Sequence, residues 1–301
     1  MRASDRWVVW AARGLWALLP VLVGPSFATG LDSRSAPVQV VCAVGLWCWW
    51  AVVLGEMFAP TTVTLTVVRV VAPASVVAAL VLAGPGGLEV EDGIALAATV
   101  VASALCLLPA FGAVCLHGAS YGDEERVALR APGLLLLGPI ELSWLLLIAG
   151  VAVGPLLLAA RQWVAGAAMT VAGLVVAAGI GRALHQLARR WLVFVPAGVV
   201  VHDPMGLVDP ILLRRARIRS FAPALADTTA TDLTMAAPGL AVEIALLDKV
   251  ELVTRVGRNG ARPAVTSAVL VTPTRPGVAI STARRRRVGQ LAVRAGPSPS
   301  P

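Results

Sequence analysis

Gly181–Arg182–Ala183–Leu184–His185–Gln186–Leu187–Ala188–Arg189–Arg190–Trp191 is the seam of this chain. Before it the sequence consists of long apolar runs. After it come short alternating runs bounded by Pro, Gly and Asp. Two adjacent guanidinium groups cannot enter hydrocarbon cheaply, so Arg189 and Arg190, with Trp191 beside them, mark a membrane–water boundary on the positively biased, cytosolic side.

The charge balance divides at the same place. Residues 1–181 carry 8 Arg against 10 Asp+Glu, and residues 182–301 carry 17 Arg+Lys against 7 Asp+Glu, so the net +8 belongs to the second half. Of the 301 residues 57% are hydrophobic and 14% charged, too apolar a composition for a water-soluble globule. Lys249 is the sole lysine, a bias that points to a GC-rich genome more than to guanidinium chemistry.

Upstream of the seam, six apolar runs are predicted to cross the bilayer: about 7–28, 38–58, 63–83, 93–116, 133–153 and 162–181. Each is long enough for ~30 Å of hydrocarbon at ~1.5 Å per residue. The first is read as a retained helix, because Arg13 interrupts any signal-peptide core and Ser26–Phe27–Ala28 is a poor cleavage site. Gly84–Pro85–Gly86–Gly87 closes the third run, residues 123–130 form a charged loop, and Gly154–Pro155 with Arg161 divides the fifth from the sixth. With the N-terminus inside, Arg2, Arg6, Arg126, Arg130, Arg182, Arg189 and Arg190 are cytosolic and only Arg34 and Arg161 lie outside. Both termini are therefore expected in the cytosol, with the protein in the cytoplasmic membrane. Trp7, Trp163 and Trp191 are expected at interfaces, and Trp47, Trp49 and Trp50 as bulk in the second helix.

Four ionisable residues fall inside the runs: Arg13, Glu56, Arg69 and Glu141. An isolated one costs about 2.5–3.5 kcal/mol on insertion scales, so pairing or hydration is expected. One reading is a proton or ion site centred on Glu141, with Pro139 freeing a carbonyl nearby. The other is that Arg13 and Arg69 pair with Glu56 and Glu141 and lock the bundle. Gly166, Thr170, Gly173, Ala177 and Gly181 form a small-residue stripe on the sixth helix, which favours close packing. An inverted three-plus-three repeat fails, because it would send Glu56 and Glu141 to opposite faces.

Downstream, 182–190 is a boundary segment, 191–288 a β-rich cytosolic domain and 289–301 a disordered tail ending in Pro–Ser–Pro–Ser–Pro. Strands are predicted at 191–195, 199–202, 211–221, 231–235, 240–247, 250–256 and 264–272, then a helix from Pro276 to about Val288. Asp203–Pro204–Met205–Gly206 has type I turn chemistry and Arg258–Asn259–Gly260 hairpin chemistry. In an extended 211–221, Arg215, Arg217 and Arg219 share one face, although Asp209–Pro210 could equally start a short helix.

Residues 189–204 (Arg–Arg–Trp–Leu–Val–Phe–Val–Pro–Ala–Gly–Val–Val–Val–His–Asp–Pro) and 272–277 (Thr–Pro–Thr–Arg–Pro–Gly) resemble segments of actinobacterial multi-pass membrane proteins. The strand count and closing helix resemble a bacterial pleckstrin-homology-like domain over about 189–290. The resemblance implies a role in interaction or assembly and brings no functional residues with it.

No catalytic constellation is present in the sequence. His117, His185 and His202 have no Ser, Cys or acidic partner at working spacing, and no phosphate-cradling loop or His–Glu–x–x–His helix occurs. Cys42, Cys48, Cys106 and Cys115 all sit in apolar runs without metal-ligand spacing and read as buried small residues, so no metal or other cofactor is expected. Arg214, Arg215, Arg217 and Arg219, and Arg284, Arg285, Arg286 and Arg287, are candidates for anionic lipid headgroups at about 1 kcal/mol per charge, a solvated face being the plain alternative. Nucleic acid is not expected, since no aromatics interleave with them. The sequence thus predicts a non-enzymatic membrane protein with a cytosolic binding, assembly or regulatory domain and an unknown protein partner. The competing reading is a solute, ion or proton transporter or channel using the four intramembrane charges.

Overall fold

The computed structural model describes residues 3–83, 89–118, 120–257 and 260–289. The predicted turn at 84–87, Arg2, two residues of the predicted hairpin turn (Arg258 and Asn259) and the tail beyond Gly289 lie outside them. The chain divides into two compact units, one of residues 1–119 with 140–185 and one of 120–139 with 186–301.

The first unit is helical. Helices α1 (Ala3–Asp32), α2 (Ala36–Phe58), α3 (Thr62–Leu82), α4 (Val90–Leu107), α6 (Pro139–Ala159) and α7 (Trp163–Ala188) are each long and apolar enough to cross a membrane, and the ten-residue α5 (Pro109–Gly118) is not. The predicted run at 93–116 is therefore two helices. Leu108 precedes a proline, takes ψ 139 and ends α4, while Pro109 opens α5 where its missing N–H costs nothing. The fifth crossing also moves: residues 133–136 form a 3₁₀ turn and α6 starts at Pro139. Pro155 does not divide the last two helices but lies inside α6, and the chain turns at 160–162 instead.

Helices α6 and α7 pack through glycine. A Cβ on Gly173 would stand 2.0 Å from the Gly150 carbonyl oxygen, and one on Gly154 would meet Thr170. The stripe read on the last helix thus faces Gly150 and Gly154, four residues apart on its neighbour. Helix α2 lies at the outside of the unit, so Cys48 is exposed and Cys42 half-buried, contrary to the sequence reading, while Cys106 and Cys115 are buried as expected.

The second unit is a β structure with a closing helix. Strands β1 (Glu125–Ala128), β2 (Trp191–Val195), β3 (Gly198–His202) and β4 (Ile211–Arg214) form one antiparallel sheet in that order. Strands β5 (Ile218–Pro223), β6 (Thr231–Asp232), β7 (Val242–Val256) and β8 (Gly260–Val271) form another, ordered β5-β7-β8-β6. Leu192, Phe194, Val199 and Leu213 from the first sheet share a core with Ile218, Val242, Ile244 and Val269 from the second, and with Ala279 and Ala283 of α8 (Pro276–Arg285).

Four strand predictions change, the simplest being 231–235, of which only Thr231–Asp232 is strand. Residues 123–130 are not only a charged loop: β1 pairs with β2, Arg126 opposite Val193 and Val127 opposite Leu192. The stretch 211–221 is neither one strand nor a helix, because a 3₁₀ turn at Arg215–Arg217 breaks it and sends β4 and β5 to different sheets. The runs at 240–247 and 250–256 are one strand, with a bulge between Ala245 and Val250.

Gly173→Leu is expected to cost the upper end of the ~1–3 kcal/mol typical of overpacking, since the group it strikes is backbone. Thermal unfolding in detergent checks this, with Gly179→Ala, where an added Cβ meets nothing within 4 Å, expected to leave the midpoint unchanged.

Candidate functional site

The four intramembrane charges do not form a charge network. Among the described residues no ion pair joins any two of them. Arg13 donates from Nε and Nη2 to the carbonyl oxygen of Met57, at 3.0 and 2.5 Å, in the last turn of α2. That carbonyl is one of the helix's unpaired acceptors, so the guanidinium serves as a C-terminal cap and meets the negative end of the helix dipole. Its plane lies over Trp10 and Phe58, 4.8 and 5.3 Å from the ring centres.

Glu56 lies one residue before Met57 and accepts from the Thr64 hydroxyl at 2.8 Å. Thr64 and Thr61 form the capping box of α3, so Glu56 ties the end of α2 to the start of α3. Arg69 extends over Gly112 of α5, its Nη2 only 3.2 Å from where a Cβ would stand. Arg13 and Glu56 thus both act at the end of α2. Glu141 is apart from that arrangement in kind: it is exposed in the first turn of α6, where a carboxylate suits the positive end of the helix. Pro139, as the first residue of α6, frees no carbonyl for an ion site there.

In the β unit the sequence reading missed the central contact. Arg190 and Asp203 are each 2% exposed. Arg190 donates through Nε to Oδ1 at 2.8 Å and through Nη2 to Oδ2 at 2.7 Å, and its Nη1 reaches the Arg130 carbonyl at 2.6 Å. Asp203 Oδ1 also accepts from the amides of Met205 and Gly206, which closes the turn predicted there. Arg190 is therefore not a boundary group in water but a buried one, and its own carbonyl accepts from the Leu129 amide, which extends the β1–β2 pairing.

Trp191 is likewise not an interfacial ring. It is 8% exposed, stacked on His202 at 4.8 Å, with the Arg126 guanidinium 5.5 Å from its centre. Trp7 and Trp163 are exposed, as interfacial rings would be. His202 bonds the Arg189 carbonyl, His117 the Ala113 carbonyl and His185 the Thr66 hydroxyl, each through Nδ1 at 2.8 Å.

The two arginine clusters differ. Arg214, Arg215, Arg217 and Arg219 are exposed around the turn between β4 and β5, with one loose ion pair, Arg217 to Asp248 at 4.0 Å. Arg285 instead pairs with Glu125 at 2.5 Å, and Arg286 with Asp123 at 2.8 Å and Glu125 at 3.2 Å. These two hold α8 against β1. Arg284 and Arg287 are exposed. The acidic 123–125 and basic 284–287 stretches were the readable signal for this clamp. The pairing of Arg190 with Asp203 left none: the turn motif accounts for Asp203 by itself and Arg190 reads as a boundary residue. Among the described residues no group of His, Cys, Asp and Glu is arranged to hold a metal ion.

Fold and contacts together define a multi-pass membrane protein with six apolar helices and a β-rich unit. Compared with protein-family models, curated proteins and solved structures, the chain matches none.

Asp203→Ala is expected to destabilise the β unit by about 3–5 kcal/mol, the cost of an unpaired buried charge. Limited trypsin digestion of the full chain in detergent reads the loss, and Arg190→Met with Asp203→Leu is expected to recover most of the resistance.

Proposed function

We propose that this is a cytoplasmic-membrane protein whose β-rich unit is a pleckstrin-homology-like binding and regulatory module, acting through the α6–α7 hairpin and without catalysis. The supporting observation is β1. It comes from the connection between α5 and α6, pairs with β2 directly after α7, and is fastened to α8 by Arg285 and Arg286. Two crossings lie between β1 and β2, so both strands emerge on one face of the membrane, as six crossings require. In sequence the β unit is joined to both ends of one helical hairpin, and a partner that binds at β1 or β2 is expected to act through those two connections.

The excess of basic residues on that face supports a cytosolic position for it and for both termini. The exposed Arg214, Arg215, Arg217 and Arg219 are the module's contact for anionic headgroups, with Arg284 and Arg287 in a lesser part. A protein partner of the module belongs to the same reading.

Hydrogen exchange of the full chain in nanodiscs is the test. Slower exchange at 211–223 is expected in anionic over zwitterionic lipid, and is expected to vanish in about 0.5 M salt, where screening acts within several ångströms. Equal exchange in both lipids would remove lipid contact from the proposal. In proteoliposomes, pH-dependent flux that Glu141→Gln abolishes would replace the regulatory reading with a transporter.

A further inference from the structure

Helices α1, α2, α3 and α4 enclose a cavity of about 280 Å³ whose lining includes none of Arg13, Glu56, Arg69 and Glu141. Along α1 its wall runs from Trp16 to Leu31. Fifteen residues at ~1.5 Å each make a slot roughly 22 Å long. Its volume is near the lower end of the ~300–1,000 Å³ usual for small-molecule sites.

The wall offers almost nothing to a polar ligand. Ser75 and Thr99 are its hydroxyl residues, and both are spent on carbonyls of their own helices. The indoles of Trp16 and Trp50 are spent on each other's backbone, Trp16 Nε1 on the Trp50 carbonyl at 3.1 Å and Trp50 Nε1 on the Trp16 carbonyl at 2.8 Å. Trp49 Nε1 has no acceptor but is closed off from solvent. An apolar cavity of this kind stays dry and takes apolar occupants.

Two observations choose the occupant. All four walls are helices long and apolar enough to span a bilayer, and Trp47 on the rim is 57% exposed, so the slot reaches the surface that hydrocarbon would bathe. At the far end Leu31 lies in the last turn of α1, three residues before the exposed Arg34 in the α1–α2 connection. Both signs of charge therefore stand at that end, since the exposed Asp32 follows Leu31 directly. An elongated dry slot open to hydrocarbon matches a hydrocarbon chain whatever its headgroup. We propose that this cavity binds one acyl chain of a membrane phospholipid.

Gly24 supplies the test. It lines the slot, and a Cβ there meets nothing within 4 Å, so a larger side chain fills the cavity without striking backbone. The full chain with the exposed Trp7, Trp10, Trp47 and Trp163 each replaced by Phe is placed in nanodiscs of phosphatidylglycerol with dibrominated chains, and contact quenching of the remaining tryptophans is read against unbrominated lipid. Gly24→Leu is expected to cut the quenching roughly twofold, because a filled slot has no room for the chain. Ala78→Leu, from the α3 wall, is expected to do the same should Gly24→Leu fail to fold. Unchanged quenching in a folded variant overturns the proposal. Free 1-bromododecane in detergent is expected to quench as well, and Gly24→Leu to cut that quenching likewise. Quenching by the alkane that does not depend on residue 24 overturns the slot as its site.

Discussion

A guanidinium buried in a protein interior is tolerated where its nitrogens find acceptors, and Arg190 meets that condition, one bond from each nitrogen, by joining three pieces of chain. Asp203 comes from the turn after β3, the Arg130 carbonyl from the end of β1, and Arg190 itself from the junction of α7 with β2. The first sheet depends on this: β1 is only four residues long and separated from β2 by two apolar helices. A strand that short gains little from its ladder alone. The charge pair, and the second pairing of Arg285 and Arg286 with Asp123 and Glu125, fix it in register. A buried pair of this kind is better evidence of specificity than of net stability, because desolvation offsets much of its attraction.

The helical unit solves a related problem by different means. Three of its four intramembrane charges, all but Arg69 in the body of α3, are placed at helix ends rather than against each other. Arg13 completes the open carbonyls of α2, Glu56 receives the hydroxyl that caps α3, and Glu141 begins α6. Each charge thereby answers a partial charge that the helix terminus already carries. Such an arrangement stabilises the turns between helices and does not require a path for ions.

The six long apolar helices and the β-rich composition after the seam were legible because they rest on local properties: length, hydropathy and alternation. The small-residue stripe on α7 was legible for the same reason, and its partners Gly150 and Gly154 followed only once α6 lay beside it. The sequence reading erred where local pattern and tertiary demand part. Residues 123–130 carry too many charges to read as a strand, yet alternate pairing with β2 makes one. Arg189–Arg190–Trp191 has the composition of an interfacial anchor, yet the last two are buried by the sheet that they begin. The arginines at 214–219 have a period of two, but the turn at Arg215–Arg217 spends that period on changing sheets.

What the sequence determined by itself is the class of molecule, since the free energy of moving an apolar run into hydrocarbon is summed along the chain and needs no knowledge of neighbours. What only the tertiary structure decided is the partner of each charge. Whether an arginine caps a helix, closes a sheet or faces solvent depends on acceptors that stand tens to over a hundred residues away, as Arg13 with Met57 and Arg285 with Glu125 do, and no local pattern encodes such a distance.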